Sequence, residues 1–117
     1  MKAGCIEKRG ETMSENISKT LTLPRLNKLN PSLESTALKI MEESGELAQA
    51  IGKFRGLNGE AFLVEETEAM QMVAKELMDV AQTAVTMMFV LEEHYGIDLE
   101  SILEDHLSKL RKKGYCD

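Results

Sequence analysis

The sequence predicts an all-α protein: an antiparallel helical bundle completed by homo-oligomerisation. Three observations carry this reading. Apolar residues recur at alternating steps of four and three along two long stretches, Leu33–Ile51 and Val73–Leu91. A shorter third stretch, from Asp98 to Gly114, carries helix start and stop signals at both ends. The second long stretch is apolar round most of its circumference, which is more than the other two can cover.

Residues 1–19 are polar and mixed in charge, without periodicity, and are expected to form a flexible leader before a single domain over 20–117. Residues 20–30 (TLTLPRLNKLN) are short and interrupted by Pro24, so a short helix or an extended arm is expected, ending before Pro31. Pro31-Ser32 opens the first strong helix, with Leu33, Ala37, Ile40, Ser44, Leu47 and Ile51 as its stripe, widened by Met41 and Ala48. In that register Glu43 and Glu46 fall on one flank, at the rim of the core, with Glu42 further round. Gly45, which costs about 1 kcal/mol against Ala inside a helix, serves either close helix packing or access for a ligand. Residues 52–59 (GKFRGLNG) are expected to be a loop, its cations either holding phosphate or complementing the helix C-terminus.

A second long helix is expected from about Glu60 to His94, closed by Gly96, with a possible break near Glu65–Glu68. Val73, Leu77, Val80, Ala84, Met87 and Leu91 repeat the spacing, while Met72, Val85, Phe89 and Val90 are apolar on other faces. The cover that helix lacks is most simply a second copy of the chain, with Met78, Met87 and Met88 as core or interface filler. In the last helix Asp98 is the expected N-cap and Leu99, Ile102, Leu103, Leu107 and Leu110 the stripe. Lys109, Arg111, Lys112 and Lys113 crowd its end, more cations than the helix dipole calls for.

Composition narrows the function. A formal charge of −6 argues against a binder of nucleic-acid backbone, and 4% aromatic residues with no Trp argue against a base-stacking platform. Cys5 and Cys116 have no metal spacing and suggest reduced thiols in a cytoplasmic protein. The most apolar run, 77–91, contains Asp79 and is shorter than the roughly 18 residues that a membrane span needs.

Two acidic clusters are left to explain. Glu42, Glu43 and Glu46 lie within about one helical turn, and Glu76 and Asp79 share one side of the second helix. Like charges at these spacings repel by roughly a few tenths of a kcal/mol per pair when exposed, and by more when buried. Asp79 stands in an apolar run, where an ionised carboxylate is costly unless paired or bound to a cation. Solvated acidic helix faces are the plainer explanation for either cluster alone; the two together, with Asp79, point to one hard-cation site. Five carboxylates without His or Cys suit Mg²⁺, with Mn²⁺ possible, and Mg²⁺ so held commonly shares its shell with substrate phosphates. Metal-assisted hydrolysis of a phosphoanhydride follows as the reaction class. A di-iron bundle would need Glu-x-x-His, and Leu91 and Leu103 stand three residues before His94 and His106.

Glu42-Glu43-x-x-Glu46 followed by Glu76-x-x-Asp79, with Ser44–Ala50 and Lys75–Val80 around them, resembles the two-part signature of the MazG-like all-α nucleoside triphosphate pyrophosphohydrolases. The resemblance covers about Ser32–Leu91. It implies Mg²⁺-dependent cleavage of (deoxy)nucleoside triphosphates to monophosphate and pyrophosphate by helical dimers or tetramers. By motif position it implies Glu43, Glu46, Glu76 and Asp79 as metal ligands, and Glu42 as a further ligand or an activator of water, Glu42 and Glu43 being the candidate catalytic pair. The interval between Glu46 and Glu76 is long for that family, and the tryptophans that many dCTP-cleaving relatives place around the base are absent. An anionic protein with an anionic substrate needs local cations, for which Lys53, Arg55, Lys75, Lys109, Arg111, Lys112 and Lys113 are the candidates. Arg55 and Arg111 suit bidentate phosphate contacts best. The rival reading is a non-catalytic helical oligomer that binds a nucleotide or a protein partner.

Overall fold

A computed structural model describes residues 17–56 and 65–117. Among them are three α-helices and no strand: α1 (Leu33–Arg55), α2 (Glu66–Tyr95) and α3 (Leu99–Lys112). The described residues divide into two units, Leu23–Ile97 in one and Asp98–Asp117 with 17–22 in the other. The expected leader lies almost wholly outside the described residues, as do residues 57–59 of the expected loop and the 60–64 start of the second helix.

In the first unit, residues 23–32 run without regular structure apart from a turn at Asn27–Lys28, so the segment before Pro31 is an arm and not a helix. Ser32 then caps α1. Its side chain accepts from Ser35 N–H at 3.0 Å, and the Ser35 hydroxyl accepts from Ser32 N–H at 2.8 Å, so two of the orphan donors of a helix start are satisfied. α1 runs further than the glycine-rich stretch suggests. Gly52 and Lys53 are still helical, and the helix stops only at Gly56, whose φ of 72° takes the left-handed turn that the cap requires. α2 ends the same way at Gly96, φ 66°.

α1 and α2 pack against each other, and the faces they join are not quite those that the apolar stripes mark. On α1 the inward line is Thr36, Ile40, Glu43, Leu47, Ala50 and Phe54; Ala37, Ser44 and Ile51 are exposed. On α2 it is Ala69, Val73, Glu76, Val80, Thr83, Thr86 and Val90, while Leu77 is exposed. The α1 line keeps the alternating four-and-three step throughout and the α2 line keeps it as far as Thr83, where a second step of three follows, so the helical period holds and the phase is turned. The reason is chemical: the seam carries Glu43 and Glu76 at its middle and threonines at one end, which no apolar count would place inside. The pairing is antiparallel. Glu43 lies by Glu76, and towards the start of α1 Thr36 shares a cleft with Thr83 and Thr86, further along α2.

The arm is tied to α2 by its own contacts. Arg25 makes a two-pronged ion pair with Glu93, Nε to Oε2 at 2.7 Å and Nη2 to Oε1 at 3.0 Å. The Gln82 side-chain amide donates to the Pro24 carbonyl at 3.0 Å. In the second unit, Asp98 caps α3 as expected, accepting from Ser101 N–H at 3.3 Å, and Gly114 (φ 78°) turns the chain after its end. Leu99 and Leu110 are half-buried; Ile102, Leu103 and Leu107 are exposed.

Candidate metal centre

The inward line of α1 brings Glu43 against the inward line of α2 at Glu76, with Glu46 one turn further along α1. One carboxylate oxygen from each of these three lies within 4.8 Å of the others. Glu43 is buried, at 8% exposure, Glu76 half-buried and Glu46 exposed, so the cluster opens from the helix seam towards solvent. Glu43 therefore sits in the seam itself and not at the rim of the core.

The electrostatics of the cluster are incomplete without a cation. Oε1 of Glu43 and Oε1 of Glu76 are buried and, among the described residues, accept no hydrogen bond. A buried carboxylate oxygen without a donor costs more than a neutral polar group would, and two of them on facing helices add repulsion. The repulsion is felt at Glu46, whose carboxyl is held above its ordinary value first by the charge of Glu43, then by loss of hydration and by Glu76. Three carboxylates, two orphaned oxygens and no soft ligand among them make a donor set that fits a hard divalent cation. Glu43, Glu46 and Glu76 would hold it; when bound, such an ion polarises a phosphoryl oxygen and neutralises charge that develops on it.

Asp79, one turn beyond Glu76, stands apart from this trio and is exposed, so the cost of burying it no longer argues for a cation. The orphaned oxygens of Glu43 and Glu76 now carry that argument. Asp79 instead lines an open cleft of about 460 Å³ beside Glu43. Glu42 is exposed and pairs with Lys39 at 3.4 Å; the same ammonium reaches Oε2 of Glu43 at 3.3 Å.

The cleft was not legible in the sequence. The arm supplies one wall, Leu26, Leu29, Asn30 and Pro31, and the helices supply Thr36, Gln82, Thr83 and Thr86. Two of the threonines spend their hydroxyl hydrogens on their own helices, Thr36 to the Ser32 and Leu33 carbonyls at 2.8 and 2.9 Å and Thr83 to the Asp79 carbonyl at 2.9 Å. Those hydroxyls therefore have no hydrogen left to donate into the cleft. The result is an apolar wall with charge at one end, where Lys39, Glu43 and Asp79 stand. Gln82, Thr83 and Thr86 did leave a trace in the sequence, since they interrupt an apolar helix just as Asp79 does. The arm left none.

The remaining candidates are scattered. Lys53 and Arg55 occupy the last turn of α1, the Arg55 guanidinium 5.0 Å over the Phe54 ring, and Lys75 is exposed beside Glu76. Lys109, Lys112 and Lys113 edge a shallow groove with Asp105 and Ser108 in the second unit, and Arg111 is exposed on the same helix end. No described helix is long and apolar enough to cross a membrane.

Residues 31–114 match the family described as the MazG nucleotide pyrophosphohydrolase domain. No curated protein and no solved structure matches the chain.

Proposed function

The chain belongs to the MazG nucleotide pyrophosphohydrolase domain family, and on that premise we propose that it hydrolyses (deoxy)nucleoside triphosphates to monophosphate and pyrophosphate with Mg²⁺. The observation that carries the reading is the pair of orphaned buried oxygens, on Glu43 and Glu76, the first of these residues also lining the charged end of an apolar-walled cleft. A nucleoside has an apolar-faced base at one end and phosphates at the other, and the cleft has the same polarity. Glu43, Glu46 and Glu76 are the residues that would hold the cation, and Asp79, which stands apart from them and lines the cleft, is proposed as a further ligand from its place in the motif. Water adds to phosphorus, the phosphoanhydride P–O bond breaks, and the water's proton passes to a carboxylate. Glu42 and Glu43 are the proposed residues for that proton and for orienting the water. Lys53, Arg55, Lys75 and the Lys109–Lys113 group are proposed as the wider field that draws the anionic substrate in.

The working form is proposed to be a cytoplasmic homo-oligomer, a dimer or tetramer, with no nucleic-acid or membrane partner. The first unit supports self-association. Its only buried apolar residues among those described are Ala69 and Val90, and no large side chain is fully buried there. That is too little core to hold two helices of this length in water unaided.

The deciding experiment incubates the protein with a panel of ribo- and deoxyribonucleoside triphosphates plus Mg²⁺ and assays pyrophosphate. Release from at least one nucleotide, abolished by EDTA, supports the reading. Nucleotide binding without pyrophosphate or phosphate release would make the protein a non-catalytic binder instead.

A further inference from the structure

Lys39 stands where the acidic centre meets the cleft. Its ammonium lies 3.3 Å from Oε2 of Glu43 and 3.4 Å from Oε1 of Glu42. It is the one cation among the described residues that line the cleft. The geometry points to a residue that changes partner: we propose that Lys39 neutralises Glu42 and Glu43 while the centre is empty of metal, and turns to the substrate's polyphosphate once a divalent cation has taken over Glu43. The proposal rests on the reading of the acidic cluster as a divalent-cation centre.

The two ends of the pair are unequal, and that makes the exchange physically reasonable. Glu43 is buried in the helix seam, whereas the Lys39 side chain is half exposed on a flexible four-carbon stem. Among the described residues Lys39 is the positive charge that pairs with Oε2 of Glu43, and Oε1 remains orphaned. A divalent ion among Glu43, Glu46 and Glu76 brings two positive charges to the same carboxylates. The hold on the ammonium weakens, and its repulsion from the ion grows. A triphosphate entering the cleft then offers several anionic oxygens to a cation already at the cleft wall. Movement of one side chain is enough, and the backbone of α1 need not shift.

Such a residue opposes metal binding and favours substrate binding, and these opposite signs separate it from an ordinary structural salt bridge. Wild type, Lys39→Met and Lys39→Arg would be titrated with Mn²⁺ alone, following free Mn²⁺ by electron paramagnetic resonance. The same proteins would then be titrated with inorganic tripolyphosphate at saturating Mn²⁺. Lys39→Met is expected to bind Mn²⁺ several-fold tighter and tripolyphosphate about tenfold weaker, a lost charge-assisted contact. Lys39→Arg is expected to stay near wild type in both. In turnover, KM rises and kcat moves less. Unchanged or weakened Mn²⁺ binding in a folded Lys39→Met would overturn the exchange, and so would unchanged tripolyphosphate affinity. Lys39→Gln replaces the Met variant if that one does not fold. Wild type that fails to bind Mn²⁺ at all overturns the cation centre itself, a different result from wild type that binds Mn²⁺ while the variant does not differ from it.

Discussion

At the residue scale the centre is a place where the fold crowds like charge, Glu43 having one oxygen paired with Lys39 and the other without a partner. Replacing Glu43 by Gln keeps its shape, removes that charge and supplies an amide donor to the neighbouring carboxylates. We expect Glu43→Gln without metal to melt a few degrees above wild type, about 1 kcal/mol of relief. Its turnover should fall by at least about 100-fold, and the rise in Tm on adding Mg²⁺ should vanish. A variant less stable than wild type in EDTA would mean that Glu43 is already satisfied. The pH dependence follows from Glu46, whose folded value is raised by the charge of Glu43. A carboxyl raised on folding contributes stability that is fully present below its ordinary value of 4.5 and is lost as pH rises through the folded value. The metal-free protein should therefore lose stability with rising pH just above 4.5, and Glu46→Gln should lose less. Glu93 acts with the opposite sign. Its hydrogen bond from Arg25 holds its carboxyl below the ordinary range, so that contribution fades as pH falls below 4.5. Melting curves in EDTA across this range, for wild type and Glu46→Gln, separate the two. Glu42, Glu43, Glu46, Glu76 and Asp79 were all legible as candidates, because carboxylates at helical spacing announce themselves. Their depths were not, since Asp79 looked buried from its neighbours and Glu43 looked marginal.

At the element scale the arm before α1 supplies a wall of the cleft that the sequence did not foreshadow. Its four cleft-lining residues, Leu26, Leu29, Asn30 and Pro31, are anchored by the Arg25–Glu93 pair and the Gln82–Pro24 hydrogen bond. Both partners of the pair are substantially exposed, so breaking it should cost the fold little. Its use is to hold one wall of the cleft in place. Arg25→Ala is expected to leave Tm nearly unchanged and to raise the KM for the nucleotide several-fold. The exchanged pair, Arg25→Glu with Glu93→Arg, should recover part of the loss. Unchanged KM in Arg25→Ala would remove the arm from substrate binding. The helices themselves were readable from period and caps, Ser32 and Asp98 in particular. The arm was not, because an irregular segment is placed by contacts with residues more than fifty positions away, such as Glu93, and such contacts leave no local pattern.

At the scale of the whole molecule, the apolar residues left in water say most. Leu77 and Met88 lie on one face of α2, 53% and 46% exposed, with Ala81 and Ala84 between them. On α1, Leu38 and Met41 are 69% and 73% exposed, and Gly45 and Ala48 continue that line. Gly45 has nothing within 4 Å of where a Cβ would stand, so close packing inside the described chain does not account for it. A flat line of this kind suits the approach of a second copy. The face needing cover differs from the one that the sequence suggested, because Val90 is 3% exposed and already spent in the α1–α2 seam. A charge at Val90 would therefore damage the fold, and a charge at Leu77 or Met88 would test association. A contiguous apolar patch above a few hundred Å² marks an interface on most soluble proteins, and two-fold pairing lets one patch cover itself. We expect sedimentation to give a dimer or tetramer for wild type. Leu77→Glu and Met88→Glu should shift it towards monomer, with activity falling in step, since the thin core of the helix pair then loses the support of a second copy. A 13.1 kDa monomer with full activity and an unchanged melting curve would mean that the two helices hold the site unaided.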